Sequence, residues 1–537
     1  MLSTVTATAM SETPWIAFFG DYFRREGLVS WLIYATVFAA IISLMRHRDQ
    51  LERVIDTLLL VSVVPCVYAL QQRYGFDFFS TTGLGGGTVG ARPGSNLGNP
   101  TFLSAYLLLI IPLTIARLVN SVGAWSARTP WLALLGLQMF AAILTQSRGP
   151  LLGIVAALFL LAVVLGALLN KRGMIYLAMG LAVLSAALLL ALNLVPELQS
   201  LIKNTPLQRF IFTGGQDLSS NSRIGIWEMG IDAFLHQPAW RQLVGAGADA
   251  SHFYYFPHLQ SWVMRIEGLT ETIDRLHNES LETVMTFGVA GLLAQLVLMA
   301  SLVWVGVRRL GHCDGVRATC VYAIACVLVS AGAGWALMAL GGSRGLFAVG
   351  AGLGIGVAWT AALLVASWRA LRMGRPTPGR ADAVLLVALV CALIGSWIEL
   401  QVGVPTISTR LLTAVYAALV LLMGLKVFDA PPPIGAPAQA PTPSEMALPR
   451  KHKRAKASGA AKSGLRGRNA RPTIAGWTTG LALMVATAAY FPPLSGNVIH
   501  PPSPQRLHLI IVPLLALVLA GIVFAWKEAR RTEAAPM

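Results

Sequence analysis

The chain has 537 residues, 55% of them hydrophobic and only 12% charged, against about 25% charged in an ordinary soluble domain. No water-soluble fold of this length could hide so much apolar sequence, so a soluble globular protein is excluded. The formal net charge of +17 does not point to nucleic acid, because Lys and Arg fall mostly in short connections between apolar blocks, where they orient membrane helices.

A bilayer core of ~30 Å takes about 20 apolar residues as a helix. Backbone groups in lipid must bond to one another, and barrel strands would read as short alternating segments. The apolar blocks therefore predict an all-α polytopic membrane protein. The first 27 residues lack a basic run followed by an apolar core, so no cleavable signal peptide is expected. Spans are expected at 28–45, 53–70, 100–119, 130–147, 150–170, 174–195, 283–307, 318–341, 345–367, 382–402, 409–427, 474–491 and 508–526. Five cysteines (Cys66, Cys313, Cys320, Cys326, Cys391) show neither disulfide nor metal spacing, and none falls in the long loop.

Orientation follows from the basic residues. Arg46, Arg48 and Arg53, then Arg117 and Arg128, Lys171 and Arg172, Arg308, Arg309 and Arg317, and Arg369, Arg372, Arg375 and Arg380 occupy alternate connections. All are cytoplasmic if the amino terminus is outside. Arg24 and Arg25 break this rule, so either leading helices precede this segment or residues 14–23 lie along the interface. The expected organisation is an outer segment 1–27, helices 28–195, a large periplasmic loop 196–282, helices 283–427, a basic Pro/Ala-rich linker 428–473 and a helix pair 474–537. The linker reads as disordered and close to anionic headgroups.

Three features then share the outer side: the loop Gln71–Asn99, the turn Ser147–Gly149 and the long loop Pro196–Leu281. Loops on a rigid scaffold carry chemistry. Arg148, between two spans, reads as a cation for a phosphate, or as a snorkelling helix end. Arg223 reads as a second phosphate clamp or a surface ion pair. His277, before the seventh span, suits a general base, with Glu282 to orient it; the alternative is a polar helix start capped by Asn278 or Ser280. Gly245-Ala246-Gly247 resembles a phosphate-cradling turn but lacks the strand, helix and Lys of a nucleotide loop. Ser343-Arg344-Gly345 echoes the earlier Ser-Arg-Gly. The aromatics Phe253–Phe256 suit stacking on sugars or, preferably, the membrane interface. No Walker motif and no Asp-x-Asp metal pair is present in the sequence.

Four passages resemble one family. They are Gly98-Asn99-Pro100, Thr145-Gln146-Ser147-Arg148-Gly149, Ser222-Arg223 through Trp227 with Leu243-Val244-Gly245-Ala246-Gly247, and His277-Asn278 followed after nine residues by Gly288 and then Gly291. Together they resemble the O-antigen ligase and polymerase group of bacterial envelope glycosyltransferases. The segment Phe19–Leu28 is similar to an outer loop that follows early helices in some relatives.

The resemblance implies a GT-C-like bundle of about 12–13 helices in the bacterial inner membrane, with its active site facing the periplasm. It implies transfer of a glycan from undecaprenyl diphosphate to an acceptor hydroxyl, inverting and metal-independent, with no cofactor. His277, Arg148 and Arg223 are the expected catalytic residues. Arg148, Arg223, Asn278, Glu282, Asn99 and Arg92 are the expected substrate-binding residues. The expected partners are the lipid-linked donor, a lipid or glycan acceptor and membrane lipids, with no nucleic acid. Polymerisation, protein O-glycosylation, and transport or flipping of lipid-linked glycans remain as alternatives, with a non-catalytic scaffold beside them.

Overall fold

A computed structural model describes residues 1–22, 24–74, 92–121, 125–202, 218–267, 273–310, 315–373 and 379–429. Among these the regular structure is helical. Two short helices, α1 (Leu2–Ala9) and α2 (Pro14–Phe19), precede α3 (Leu28–Leu44), α4 (Arg48–Val61), α5 (Val63–Tyr74), α6 (Pro100–Asn120), α7 (Trp125–Thr145), α8 (Arg148–Leu168) and α9 (Arg172–Leu194). The long loop forms α10 (Pro196–Ile202), α11 (Leu218–His236), α12 (Ala239–Val244), α13 (His252–Tyr255) and α14 (Ser261–Glu267). The chain continues with α15 (Glu279–Arg309), α16 (Val316–Gly341), α17 (Gly345–Met373), α18 (Arg380–Leu400) and α19 (Ile407–Gly424).

Ten helices among the described residues are long and apolar enough to cross a membrane, counting Arg48–Tyr74 as one run; Leu28–Leu44 is a shorter apolar helix. The protein is thus an all-α polytopic membrane protein. The spans expected at 474–491 and 508–526, and the basic linker before them, lie outside the described residues. Helices α1 to α19 all belong to one compact unit, Met1–Leu425.

Helix α18 is the centre of the bundle. It packs against α6, α8, α15, α17 and α19, and every residue from Ala383 to Trp397 is buried. Small residues make this possible: a Cβ on Gly395 would meet Ala157 and the Gly153 carbonyl across the α8 interface, the close approach that drives helix association in lipid. Some polar side chains in this interior bond to one another. Thr114 Oγ1 donates to Gln138 Oε1 at 2.8 Å, and Gln138 Nε2 donates to Ser62 Oγ at 2.9 Å.

Cross-bundle bonds show which helix ends lie together. Arg48 pairs with Asp382 at 2.9 Å and Asn120 donates to the Ala381 carbonyl at 3.0 Å, so these basic connections share one end. At the other end Arg92 donates to Ser147 Oγ (2.8 Å), Asn278 Nδ2 donates to the Gln401 carbonyl (2.9 Å), and Arg410 pairs with Glu279 (2.9 Å). Three of the basic connections, those of Arg48, Arg117 and Arg380, therefore share one end, as the placement of Lys and Arg predicts.

At that second end the long loop folds over its own apolar core. Ile226, Trp227 and Met229 of α11, Tyr255, Val263, Leu276, and Leu281 and Met285 of α15 are buried together. Arg223 lies within α11, and α15 begins at Glu279, four residues before the expected span.

Candidate functional site

Local sequence sets the position of His277. Asn278 caps α15: its side chain accepts from Leu281 N at 2.8 Å while its amide donates to Gln401. The preceding residue must then turn sharply, and His277 takes φ +53°, a region costly for a residue with a Cβ. His277 is half-buried at this turn. Among the described residues none hydrogen-bonds it. Three charged side chains from three segments act on it: Arg223 of α11, Asp274 of the loop and Arg24 of the amino-terminal segment. Burial, then Arg223 and Arg24, push its pKa down to about 4, against the opposing pull of Asp274. The ring is neutral at neutral pH and has a nitrogen available to accept a proton.

Glu282 does not reach this ring. Its carboxylate accepts from Arg275 (3.1 Å), Leu276 N (2.9 Å) and Ser251 Oγ (2.6 Å), and it is 4% exposed. Among the carboxylates, Asp274 is the one whose charge acts on the imidazole. Glu282 belongs instead to a buried ion network. Arg275 joins it to Asp249 and to Glu26 (3.3 Å), and Arg410 joins Glu26 (3.2 Å) to Glu279. Burial works against the Arg275 charge, but Asp249, Glu282 and Glu26 outweigh it and hold its pKa well above the usual value. Burial raises the pKa of Glu26 despite Arg410 and Arg275, and its Oε1 has no partner. These side chains line a cavity of about 10 Å³, roughly the room one water needs.

The amino-terminal segment is fastened to this network. Asp249 accepts from the backbone N–H groups of Asp21 (2.6 Å) and Glu26 (3.1 Å), and Arg241 pairs with Glu12 at 2.7 Å. Arg24 grips Asp274 with two nitrogens, Nε and Nη2, the latter at 3.2 Å. Burial alone would raise the Asp274 pKa; Arg24 overcomes it and keeps the carboxyl below its usual range. Glu12, Asp21, Arg24 and Glu26 thus tie this segment to the site loops, while Trp15, Phe18 and Phe19 stay exposed.

Arg148 opens α8 in the turn after Thr145. Arg92 braces this turn from the neighbouring loop, donating to the Thr145 carbonyl (2.6 Å) and to Ser147 Oγ. A Cβ on Gly149 would lie 3.4 Å from Val402, next to the Gln401 that holds Asn278. The turns carrying Arg148 and His277 thus meet at the end of α18. Beside them Glu399 is 2% exposed with Oε1 unpartnered, and Arg223 acts on it too. Asn99 spends its side-chain oxygen on Thr101 N (2.8 Å) as the cap of α6. Asn278, 1% exposed, is engaged at both ends of its amide. Both asparagines cap helices.

The Gly245–Gly247 turn has a packing role. Gly288 breaks α15 at φ +68°, and a Cβ there would overlap the Leu243 carbonyl. The break frees two carbonyls, which accept from Ala246 N (Met285 O, 2.9 Å) and Gly247 N (Thr286 O, 3.0 Å). The turn's N–H groups are filled by the helix, not by a phosphate. Ser343-Arg344-Gly345 is occupied as well, with Ser343 on Glu228 (2.7 Å) and Arg344 on Asp232 (2.9 Å).

Sequence reasoning missed Arg24, Asp274 and the Arg275–Arg410 network. The one available signal was that Arg24 breaks the positive-inside rule.

Fold and site together define a polytopic α-helical membrane protein that gathers arginines around one unbonded histidine at a single end of the bundle. Residues 131–296 match a family model described as O-Antigen ligase, a stretch that holds Arg148, Arg223, His277 and Gly288. The match supports the O-antigen ligase family, and at that level an O-antigen ligase-like membrane enzyme. No curated protein and no solved structure matches the chain.

Proposed function

We propose that the protein transfers a glycan from undecaprenyl diphosphate to an acceptor hydroxyl at the outer face of the bacterial inner membrane. The observation that carries this reading is the unbonded, neutral His277 with arginines around it at the end opposite the basic connections, which the positive-inside rule makes the periplasmic end. An anionic lipid diphosphate is both the ligand that arginine forks fit and a leaving group that needs no activation.

His277 takes the proton of the acceptor hydroxyl as that oxygen attacks C1 of the reducing-end sugar. The C1–O bond to phosphate breaks, its electron pair leaves with undecaprenyl diphosphate, and the anomeric centre inverts. Arg148 and Arg223 hold the diphosphate and offset the charge that builds on it. The proton on His277 then passes to the departing diphosphate. Arg92 positions Arg148 by bracing its turn.

Purified protein incubated with undecaprenyl-diphosphate glycan and lipid, glycan or protein acceptors, with products resolved by mass, tests this and identifies the acceptor. His277→Ala is expected to lower transfer ~10²–10⁴-fold, and Arg148→Ala or Arg223→Ala roughly 10²–10³-fold. Unchanged transfer by His277→Ala overturns the reading; lipid-linked glycan moved across vesicles without transfer replaces it with a transporter.

A further inference from the structure

We propose that Arg24 is a third donor-binding residue held in reserve by Asp274, and that the donor's diphosphate displaces Asp274 and leaves that carboxylate to the His277 imidazolium. The inference rests on the donor position given above, and nothing in the stretch that matches the family includes Arg24.

Two ion pairs within the same loop behave differently. Arg275 is 5% exposed and surrounded by Glu26, Asp249 and Glu282 at 3–5% exposure; removing any member would strand a buried charge, so this group is structural. Arg24 and Asp274, in contrast, are 20% and 30% exposed, within reach of a ligand at the bundle end. The guanidinium also lies 5.2 Å from the Phe102 ring centre, on the first turn of α6. It is therefore pre-oriented by the ring, and its carboxylate partner is exchangeable. A diphosphate offers more negative charge than one carboxylate and the same forked geometry.

The exchange has a consequence for the base. The charged groups that face His277 are Arg223, Arg24 and Asp274. In the free protein both arginines oppose its protonation and Asp274 is committed to Arg24. A bound diphosphate neutralises both arginines, and Asp274 becomes available to the imidazolium. His277 then becomes a stronger base only when the donor is in place. Arg24 is a binding residue in this scheme, and Asp274 is a positioning residue that acts through His277.

The full chain in lipid nanodiscs, titrated with undecaprenyl diphosphate, gives one measurement; donor KM, kcat and their pH profiles give the other. Arg24→Ala should weaken binding at least about tenfold, and Arg24→Lys, which keeps the charge and the fold but loses the fork, severalfold. Asp274→Asn should do the opposite to binding, tightening it severalfold, while lowering kcat. In the wild type the acid limb of kcat should lie at higher pH than that of kcat/KM, and Asp274→Asn should narrow the gap. A purely structural pair predicts that both substitutions weaken binding, or that neither does; either result overturns the inference. Transfer by the wild type with binding indifferent to Arg24 overturns it while leaving the ligase reading in place. Binding that responds in opposite directions to the two substitutions, with no transfer by the wild type, supports the third cation and removes the ligase reading.

Discussion

At the residue scale, the informative feature is a histidine whose surroundings oppose its charge. The folded protein refuses a proton at His277 until about pH 4, whereas the unfolded chain accepts it near 6.5. Above pH 6.5 both states are neutral there and the residue contributes no slope. As pH falls from 6.5 toward 4 the unfolded state gains protons that the folded state does not, so stability is lost. His277→Gln should flatten the thermal-unfolding midpoint over this window; an unchanged slope would place the acid sensitivity elsewhere. The arginines and the histidine were legible in sequence because charged residues beside membrane spans are rare and costly. Their partners were not. Glu282 and Asp274 both stand close to His277 along the chain, and only the folded contacts set Asp274 against the ring and Glu282 against Arg275.

At the scale of elements, α15 joins the two halves of the site. Its amino-terminal piece carries the Asn278 cap and the carboxylates of Glu279 and Glu282, and its break at Gly288 accepts the α12 turn. Gly288→Ala would force a Cβ into the Leu243 carbonyl at a positive φ. We expect a loss of about 2 kcal/mol or more, read as a lower unfolding midpoint, together with exposure of Ala246 and Gly247 to hydrogen exchange. Wild-type midpoint and protection in this variant would show that the break is incidental. The spacing from His277 to Gly288 was visible in sequence. Its reason was not, because the carbonyl that excludes a side chain there comes from a residue remote in the chain, and the Ala246 and Gly247 N–H groups beside it are taken by Met285 and Thr286.

For the whole molecule, the amino-terminal segment is the part least expected to matter and among the most thoroughly bonded. It supplies Glu12 to Arg241, two backbone N–H groups to Asp249, Arg24 to Asp274 and Glu26 to both Arg275 and Arg410. Removing residues 1–26 should abolish hydrogen-exchange protection around Ile273–Asn278 and leave the opposite end, with Arg48–Asp382 and Asn120, unchanged. Equal protection at both ends would make the segment an accessory. The sequence by itself determined the class of protein, the positions of the described spans within a few residues and which connections share a side. Those follow from two local quantities, the length of apolar runs and the placement of Lys and Arg, which lipid translates directly into helices and orientation. Only the tertiary structure decided which carboxylate acts on His277, that Asn99 and Asn278 cap helices, that the glycine turn packs on α15, and that Arg24 pairs with Asp274 beside His277. Such assignments depend on hydrogen bonds and ion pairs between distant segments, and a linear pattern of residue types carries no record of which charge a folded chain will set against which.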